Sequence, residues 1–420
     1  MLVTQQSASP EKLSRAVQIM NNPKKWIVLA FAFLATVINY LDRQTLSVMA
    51  PALLEKFHIS AVSYSHIIFA FMLAYTLTNG VSGRVLDRVG SKIGYALTIA
   101  WWSAAEILHA FSAGAVSLGI FRFLLGVGEA GNYPAGVKLI AEWFPAEERS
   151  LASGIFNSGA SIGAILAPPL LAWIVLSTGW RAGFIVIGLL GFIWLAAWIV
   201  FYRAPQAVVA RASVEHFPLI ALFRSRFLWQ FTLSKVFSDP IWYFYTFWFP
   251  QYLKVDHGFT MRQIGETAWI PFVTAAVGNI IGGVLFCQIL RVTERPPATA
   301  RRIAILVFSL LMMSAIFVGG QRSTADCIAL ISIATFGYSG ALANLLAVPG
   351  DVFSKNNVAS VWGFASVGSG FGGMVFALVT GWLVGHYSFR AAFVLFGILP
   401  LISAWIVWTL PQKAELEART

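Results

Sequence analysis

Ionisable residues interrupt two long apolar segments of this chain, and their spacing could support proton and anion chemistry. Asp42 and Arg43 end an apolar run that begins near Trp26, and Arg122 and Glu129 lie seven residues apart in a later run. A helix would place the latter two on one face, about 10 Å apart in height. A carboxylate beside a cation stays ionised, whereas a carboxyl group buried alone takes up a proton. Because arginine also gives a forked match to a carboxylate ligand, the pattern predicts a proton site next to an anion site.

The depths of these residues in a membrane suggest an ion pair. Asp42 lies 16 residues past Trp26, about 24 Å along a helix, toward the outer part of the membrane. The segment that carries Arg122 runs in the opposite direction, so Arg122 also falls on the outer side and Glu129 falls near the middle. Asp42 and Arg122 could therefore pair. The alternatives are a purely structural ion pair and, for Glu129, a satisfied core acid.

The second half of the chain offers a different set of side chains. Lys235 and Asp239 lie four residues apart, which predicts an ion pair along one helix face, with a gate or a substrate contact as the alternative. The other candidates are aromatic or neutral hydrogen-bonding residues, for which helix packing is the alternative: Trp242, Tyr243, Tyr245, Trp248, Asn279, Tyr338, Asn344, Ser366 and Ser369. This mixture suits a ligand with one carboxylate and several hydroxyl groups. We therefore take Asn39, Trp242, Tyr243 and Ser369 as substrate-binding candidates.

Membrane helices must position these residues. Hydrophobic residues make up 58% of the chain and charged residues only 11%, whereas soluble proteins carry about 25% charged residues. A spanning helix needs about 20 mostly apolar residues. The sequence contains twelve such segments, near residues 26–49, 64–86, 93–113, 115–140, 150–176, 180–202, 228–253, 266–290, 301–320, 324–349, 357–385 and 387–410.

The twelve segments form two related halves. We predict an all-α membrane protein with six-helix halves at 26–202 and 228–410, tails at 1–25 and 411–420, and a linker at 203–227. Residues 142–201 align with residues 351–410 without a gap, at an offset of 209. The positions that are identical in this alignment include several glycines, a tryptophan and an arginine. Lysine and arginine concentrate in the tails and in the loops after even-numbered segments, which predicts that both termini are cytoplasmic.

Charge and cysteine content exclude other classes of protein. The net charge of +11 is typical of basic cytoplasmic loops, so we predict no nucleic-acid partner. The two cysteines, Cys287 and Cys327, lie in or beside apolar segments and indicate no disulfide framework. The first 25 residues contain no signal-peptide pattern. Since no histidine-rich metal cluster or nucleophile–base pair is present, we predict a protein that is not an enzyme and has no cofactor, with protons as the coupling ion.

The loop after the second segment carries a recognisable motif. It contains Gly83, Asp87, Arg88, Gly90 and Lys92. This run resembles the signature of the major facilitator superfamily between its second and third helices. The resemblance implies two parallel halves with a substrate site between them near the midplane. The acid and the bases of the loop would lock helix ends in one conformational state and release them in the other, and we place Lys235 and Asp239 in the same gating group.

Within that superfamily, the chain is similar to the anion:cation symporters and most similar to bacterial hexuronate transporters. The similarity is carried by five stretches: Asn39–Arg43, Arg122–Ala130 with Pro134, Glu142–Arg149, Asn157–Pro169 and Asp351–Phe353. The resemblance implies that Asp42 and Glu129 are the proton-coupling residues. Arg43 matches the family's substrate-carboxylate arginine, while Arg122 and Tyr75 match its fourth-span arginine and second-span tyrosine. We take all three as substrate-binding candidates.

These observations predict a monomeric, proton-driven symporter in the inner membrane of a bacterium. Its substrate would be a sugar acid, foremost a hexuronate such as glucuronate or galacturonate, imported by alternating access. Related carriers use a glutamine in the fifth span and an asparagine in the eleventh, where this chain has Ala160 and Ser161, then Ala365 and Ser369. The alternatives are a symporter of an aldonate or aromatic acid, a cation or drug antiporter, and a non-transporting membrane sensor.

Overall fold

A computed structural model describes residues 23–145, 148–203, 224–352 and 355–411 of the chain. Within these ranges the structure is helical and has no strand, and each predicted segment coincides with a continuous or interrupted helix. The predicted all-α fold of twelve spans is therefore confirmed. Spans α1 to α12 are Lys24–Lys56; Ala61–Val89; Ser91–Leu108 with His109–Phe111; Ala115–Glu129 with Asn132–Trp143; Arg149–Thr178; Trp180–Phe201; Arg226–His257; Met261–Thr267 with Ile270–Thr293; Pro297–Met312 with Met313–Gly320; Thr324–Leu345 with Val348–Val352; Lys355–His386; and Phe389–Trp408.

Not all spans are equally apolar. In the described ranges, nine helices are long and apolar enough to cross a membrane by length and composition. The three spans that do not meet this criterion of length and composition all carry ionisable residues. They are α3 with Glu106, α4 with Arg122 and Glu129, and α7 with Lys235 and Asp239. Since an ionisable side chain raises the cost of membrane insertion, these three spans are where functional side chains are expected.

The fourth span is broken beside the candidate site. Its helix stops after Glu129 and resumes at Asn132. Pro134 has no N–H group to donate to the carbonyl of Ala130, so an uninterrupted helix would leave that carbonyl without its usual partner. The break thus places Glu129 at the end of a helical segment.

The first span is longer than the sequence predicted. The predicted segment ends at residue 49, whereas the helix runs through Pro51 to Lys56 and buries Leu53 and Leu54 in its last turns. Asp42 therefore lies about 21 Å from one end of the helix and about 27 Å from the other. The buried leucines extend the helix beyond the predicted segment and leave Asp42 near its middle, while its predicted depth in the outer part of the membrane stays a prediction.

The structure repeats as the sequence does. Helices α6 and α12 begin 209 residues apart, which is the offset of the sequence match. In α6, Arg181 Nε donates to the carbonyl of Ala110 at 3.0 Å. In α12, Arg390 packs against Gly319, and Ala110 and Gly319 are again 209 residues apart. Equivalent arginines therefore pack the sixth helix of each half against the end of the third.

The two halves meet at one end of the molecule. The first and last described residues lie at the other end, which we call the terminal face. At the face opposite, Ser47 Oγ donates to the carbonyl of Thr246 at 2.6 Å and Tyr64 Oη donates to the carbonyl of Phe247 at 2.9 Å. The Tyr64 ring also packs edge-on against Trp248, with centroids 5.0 Å apart. These contacts join α1 and α2 to α7 and close this face.

Helices α2 and α11 show where the closure stops. Their glycine contacts run from the opposite face to the middle of the helices: Gly385 with Val62, Gly381 with Ser65, and Gly370 with Thr76. Nearer the terminal face, Gly80, Gly83 and Gly363 face open space within the described part of the chain. The cleft between the halves is therefore closed at the opposite face and open at the terminal face.

The predicted tails and linker lie mostly outside the described residues. The structure begins at residue 23, omits 204–223 and ends at 411. The predicted boundaries at 1–25, 203–227 and 411–420 thus stay predictions.

Candidate functional site

An ion pair between α1 and α4 lies at the centre of the first half. Arg43 donates from Nε and Nη2 to Glu129 Oε2, at 2.9 and 2.8 Å, and contacts Asn39 Oδ1 at 3.5 Å. Arg43 is 6% exposed and Glu129 is 1% exposed. Within the described structure, neither Arg43 Nη1 nor Glu129 Oε1 has a hydrogen-bond partner. The pair therefore keeps unused hydrogen-bonding capacity for a ligand.

The expected ion pair between Asp42 and Arg122 is wrong. Arg122 donates instead to main-chain carbonyls, to that of Asp42 at 3.4 Å and to that of Arg43. Both carboxylate oxygens of Asp42 are buried without a hydrogen-bond partner in the described structure. Consecutive side chains project about 100° apart around a helix, so Arg43 rather than Asp42 meets an α4 side chain. Arg122 thus joins α4 to the backbone of α1.

Glycine allows α4 to approach α2 closely. A Cβ atom on Gly126 would lie 2.6 Å from the carbonyl oxygen of Phe71. The Phe71 ring in turn lies near both guanidinium groups, with its centroid 5.4 Å from Arg43 Cζ and 5.0 Å from Arg122 Cζ. The face of an aromatic ring attracts cations. Phe71 therefore stabilises two like charges that the close approach brings together.

Tyrosines of the first half surround Arg43. The rings of Tyr40 and Tyr75 both have centroids 4.9 Å from Arg43 Cζ, which places the predicted residue Tyr75 at the site. Both rings are partly exposed, and Tyr133 on α4 is 51% exposed. This partial exposure marks the open route from the terminal face to Arg43. The sequence did not single out Tyr40 or Tyr133, although Tyr40 belongs to the stretch Asn39–Arg43.

Predicted residues of the second half lie at the same site. Tyr243 is close enough to Arg43 to interact electrostatically, and its hydroxyl lies 3.4 Å from Ser369 Oγ. The ring of Trp242 stacks on Tyr338 with centroids 5.5 Å apart. The structure therefore brings Trp242, Tyr243 and Ser369 to face the charged pair from the other side of the cleft.

Other candidates of the second half contribute to packing. Asn344 Nδ2 donates to the carbonyls of Gly282 and Gly340, each at 2.9 Å, and so joins α10 to α8. Tyr245 and Trp248 are each 1% exposed and lie on the part of α7 that closes the opposite face. These side chains are not available to a ligand in this conformation.

The signature loop connects α2 and α3 to α4. Asp87 Oδ1 accepts from Lys138 Nζ at 3.1 Å, and the same ammonium donates to the carbonyl of Leu86 at 2.7 Å. Gly90 has a φ of +79°, a conformation that glycine adopts without steric cost. This residue lets α3 begin immediately after α2 ends. The loop is thereby held at the terminal face, near the open end of the cleft.

Other residues of the motif have simpler surroundings. Gly83 faces open space in the described structure and Arg88 is exposed. The carbonyl of Lys92 accepts from Trp198 Nε1 at 3.0 Å, which positions the start of α3 against α6. The gating role of these residues stays a prediction.

The ion pair predicted within α7 is confirmed. Lys235 Nζ lies 2.7 Å from Asp239 Oδ1, and both residues are largely buried. The ammonium also lies 5.2 Å from the centroid of the Trp362 ring on α11. Lys235 is therefore already neutralised by Asp239, and its role in gating stays a prediction.

Sequence analysis gave no role to two buried residues of α3. Glu106 and His109 are both 0% exposed. Both Glu106 carboxylate oxygens and His109 Nε2 have no hydrogen-bond partner in the described structure. The signal in the sequence is two ionisable residues one turn apart in an apolar segment, but it does not show which helix they face. Among described residues, no group of three or more His, Cys, Asp or Glu is placed to hold a metal ion.

The comparison with known families agrees with this architecture. The model of the Major Facilitator Superfamily matches residues 32–345 and 298–420. This chain belongs to the major facilitator superfamily. The resemblance of the Gly83–Lys92 loop to the superfamily signature is thus confirmed, and the chain is a multi-pass membrane protein.

Curated relatives in the superfamily are named as sugar-acid transporters. The chain is 32% identical over 407 residues to the hexuronate transporter of Escherichia coli (strain K12), covering 93% of this chain and 94% of that protein. It is 31% identical to the galacturonate transporter of Dickeya chrysanthemi, covering 69% and 89%. It is 30% identical to the probable galactarate/D-glucarate transporter GarP of Escherichia coli (strain K12), covering 90% and 93%. The resemblance to bacterial hexuronate transporters is therefore confirmed.

Solved structures share the fold. A bacterial homologue of the human lysosomal transporter Spinster, in an inward-facing and unoccupied conformation, superposes with a TM-score of 0.80 at 18% identity, covering 94% of this chain and 98% of that chain. The D-xylose-proton symporter superposes with a TM-score of 0.74 at 14% identity, covering 92% and 98%. Both similarities support the fold of the superfamily.

Proposed function

We propose that this chain is a proton-coupled symporter that imports a sugar acid across the inner membrane of a bacterium. The observation that carries the proposal is the buried pair of Arg43 and Glu129, placed beside a cleft that opens at one face. The hexuronate and galacturonate transporters among its relatives support a hexuronate as the substrate. The protein would move this substrate without chemical change, as a monomer and without a cofactor.

The charges of the site suit a ligand with a single carboxylate. Arg43 has hydrogen-bonding capacity left and lies among partly exposed tyrosines. Arg122 donates to main-chain carbonyls and Lys235 is paired with Asp239, so neither offers a second forked contact. Ser369 and Tyr243 would meet the sugar hydroxyls across the cleft. A uronate has this combination of one carboxylate and several hydroxyl groups.

Glu129 can link substrate binding to protonation. It holds two donors of Arg43 in the structure, and a substrate carboxylate would compete for the same guanidinium group. A buried carboxylate that loses its cation is costly to keep ionised, so Glu129 takes up a proton as the substrate takes Arg43. The substrate adds one negative charge and the proton one positive charge, which leaves the charge of the buried site unchanged. Asp42, buried without a hydrogen-bond partner, is the second proposed proton-coupling residue.

Alternating access would use the contacts between the halves. In the proposed orientation the terminal face is cytoplasmic, so the described conformation is open to the inside. Opening to the outside requires the α1 and α2 contacts with α7, including Tyr64 with Trp248, to separate. The signature loop and the ion pair of Lys235 and Asp239 would then join the closing contacts at the terminal face.

Uptake into proteoliposomes tests this function. Purified protein is reconstituted, and labelled galacturonate or glucuronate is supplied with and without an inward proton gradient. With a gradient of one pH unit, each coupled proton supports about tenfold accumulation at equilibrium. Accumulation that disappears when the gradient is collapsed supports the proposal. Uptake that is absent, or that never exceeds equilibration in functional protein, contradicts it.

Replacing Glu129 by glutamine isolates the coupling step. Glu129→Gln keeps the size of the side chain but cannot carry the transported proton. We expect it to abolish accumulation while substrate exchange across the membrane persists. The matched control is Glu266→Gln, the same chemical change at an exposed acid that contacts Arg262 at 3.0 Å, and it should accumulate substrate as the wild type does.

Competing substrates distinguish the remaining anions. The galactarate/D-glucarate relative is named for dicarboxylates, so galactarate is the informative competitor, together with an aldonate and an aromatic acid. A site in which only the Arg43 guanidinium group can bind a substrate carboxylate should prefer galacturonate, with one carboxylate, to galactarate, with two. Uptake of lipophilic cations would instead favour the antiporter alternative, and binding without any transport would favour the sensor.

A further inference from the structure

The buried centre of the first half contains one more acid than it contains cations. The acids are Asp42, Glu106 and Glu129, and the cations are Arg43 and Arg122. All five side chains are 6% exposed or less. Buried charges in proteins are paired, or the group neutralises by changing its protonation state. A neutral cluster of three acids and two guanidinium groups must therefore hold one proton.

The contacts favour an ionised Glu129. Arg43 donates twice to its Oε2, and two hydrogen bonds from a cation stabilise the charged form of a carboxyl group. Arg122 is left to balance the two remaining acids. Glu106 lies close enough to both Arg122 and Asp42 to interact with them electrostatically. Asp42 and Glu106 therefore share the field of a single cation.

His109 does not supply a second positive charge. Its Nδ1 lies 2.8 Å from the carbonyl of Ala105 and must carry a proton to donate to it. Its Nε2 is buried without a partner in the described structure, which leaves no acceptor for a second proton. The ring stacks on Phe184 of α6, with centroids 5.1 Å apart, and its Nδ1 lies 3.9 Å from Glu106 Oε2. The imidazole is therefore neutral.

The other neighbouring elements leave this balance unchanged. On α1, the Thr45 hydroxyl donates to the carbonyl of Leu41 at 2.8 Å and not to Glu106, and α2 presents the Tyr64 phenol to Arg122. The Tyr64 hydroxyl donates its proton to the carbonyl of Phe247 and is therefore neutral. Four carboxylate oxygens, two on Asp42 and two on Glu106, are buried without a hydrogen-bond partner in the described structure.

We propose that Asp42 and Glu106 hold one proton between them, opposite the single charge of Arg122, which makes Glu106 a third proton-coupling residue. Asp42 can then lose its proton as Glu106 becomes protonated, and the buried cluster keeps its charge. The link to transport rests on the proposed function, in which Asp42 changes protonation during the cycle. The sharing of one proton between Asp42 and Glu106 does not rest on transport, because it follows from the buried charges alone.

The substitution Glu106→Gln would prevent the proton from moving between the two acids. In Glu106→Gln, Asp42 is the only acid left to balance Arg122, so Asp42 stays ionised. In Asp42→Asn, Glu106 stays ionised for the same reason. Either single substitution should therefore remove the shared proton, even though each leaves one carboxyl group in place.

Infrared spectroscopy of the full-length protein can count this proton directly. At neutral pH, exposed carboxyl groups are ionised, so absorption by a protonated carboxyl group reports a buried one. We expect one such group per molecule in the substrate-free wild type and in the control Glu266→Gln, and none in Glu106→Gln or Asp42→Asn. A wild type without the band, or a single variant that keeps it, would overturn the proposal. If Glu106→Gln fails to fold, Asp42→Asn tests the proposal instead, because removing either acid should leave the other acid ionised.

Transport supplies the second readout. Glu106→Gln should bind labelled galacturonate with unchanged affinity, because Arg43 and Glu129 are intact. Its proton-driven uptake should fall to the level of liposomes without protein, because Asp42 can no longer change its protonation. Full uptake by this variant would exclude Glu106 from coupling. If the wild type itself does not transport, the proposed function has failed, whereas the infrared count still judges the sharing.

Discussion

At the scale of single residues, the two buried arginines differ in what their donors contact. Arg43 donates to a side chain, Glu129 Oε2, which a ligand can replace. Arg122 donates to main-chain carbonyls, which stay in place through any rotamer change. A guanidinium group held by the backbone positions its helix, whereas one held by a carboxylate can exchange partners. On this difference we propose that Arg43 binds the substrate and that Arg122 positions its helix.

Replacing Arg43 by lysine should weaken substrate binding. Lysine keeps the charge but cannot make the forked contact with a carboxylate. Hydrogen bonds to charged groups contribute about 1.5–3 kcal/mol, so the dissociation constant for galacturonate should rise about tenfold to hundredfold. Binding of labelled galacturonate to purified protein measures it. Arg262→Lys, at an exposed arginine that contacts Glu266, is the control, and equal affinity in both variants would contradict the assignment.

The hydroxyl groups across the cleft should affect affinity less. Tyr243 and Ser369 lie 3.4 Å apart, and a neutral hydrogen bond contributes about 0.5–1.5 kcal/mol. Tyr243→Phe or Ser369→Ala should therefore raise the KM for galacturonate by about twofold to tenfold and leave accumulation intact. Initial uptake rates at varied substrate concentration give the KM. A variant that loses accumulation but keeps its KM would move that residue from binding to coupling.

At the scale of elements, the close packing of α4 against its neighbours brings the charged residues together. Gly126 faces the backbone of α2, and Gly128 faces the backbone of Trp102 on α3, where a Cβ atom would lie 2.8 Å from the Trp102 nitrogen. These glycines allow α4 to bring Arg122 within reach of the Arg43 carbonyl and Glu129 within reach of the Arg43 side chain. The position of the ion pair therefore depends on the absence of side chains one turn away from it.

An alanine at position 126 should destabilise the protein. Its Cβ atom would lie 2.6 Å from the carbonyl oxygen of Phe71, and such overpacking costs about 1–3 kcal/mol. We expect a lower thermal midpoint for Gly126→Ala in detergent. Gly154→Ala is the matched control, because no atom in the described structure lies within 4 Å of its Cβ position. Equal midpoints for the two variants would show that α4 can move away from α2 without cost.

At the scale of the whole molecule, closure at one face and opening at the other define a single conformational state. The contacts of α2 with α11 end near Thr76 and Gly370, about halfway along each helix. Because the two halves repeat in parallel, they can rock about the middle of the molecule. The buried pair of Arg43 and Glu129 lies near that pivot.

A disulfide across the closed face should arrest transport. Gly385 approaches Val62, whose Cγ2 lies 3.0 Å from a Cβ built on the glycine, so cysteines at both positions fall near the spacing of a disulfide. In a background without Cys287 and Cys327, Val62→Cys with Gly385→Cys should lose uptake on oxidation and regain it on reduction. Each single cysteine variant should be unaffected by oxidant. Undiminished uptake by the cross-linked protein would show that this face does not open during transport.

Local patterns predicted the fold and one ion pair, whereas contacts between helices required the structure. Lys235 and Asp239 lie on one helix, so a spacing of four residues was enough to predict their contact. The pairing of Asp42 with Arg122 was predicted wrongly, because the rotation of α1 decides which of its side chains meets α4, and that side chain is Arg43. Glu106 was visible as a charge in an apolar span, but nothing in its own segment shows that it faces Arg122.

The unequal distribution of charge between two repeated halves has a consequence for changing this protein. The helices that carry the proposed proton-coupling residues belong to the first half, while Trp242, Tyr243 and Ser369 face them from the second. In this proposal the first half supplies proton coupling and the contact with the substrate carboxylate, and the second half supplies the contacts with the sugar hydroxyls. Exchange of the second half between relatives should alter which sugar acid is accepted while the driving ion stays the same, so new specificities can arise without rebuilding the coupling machinery.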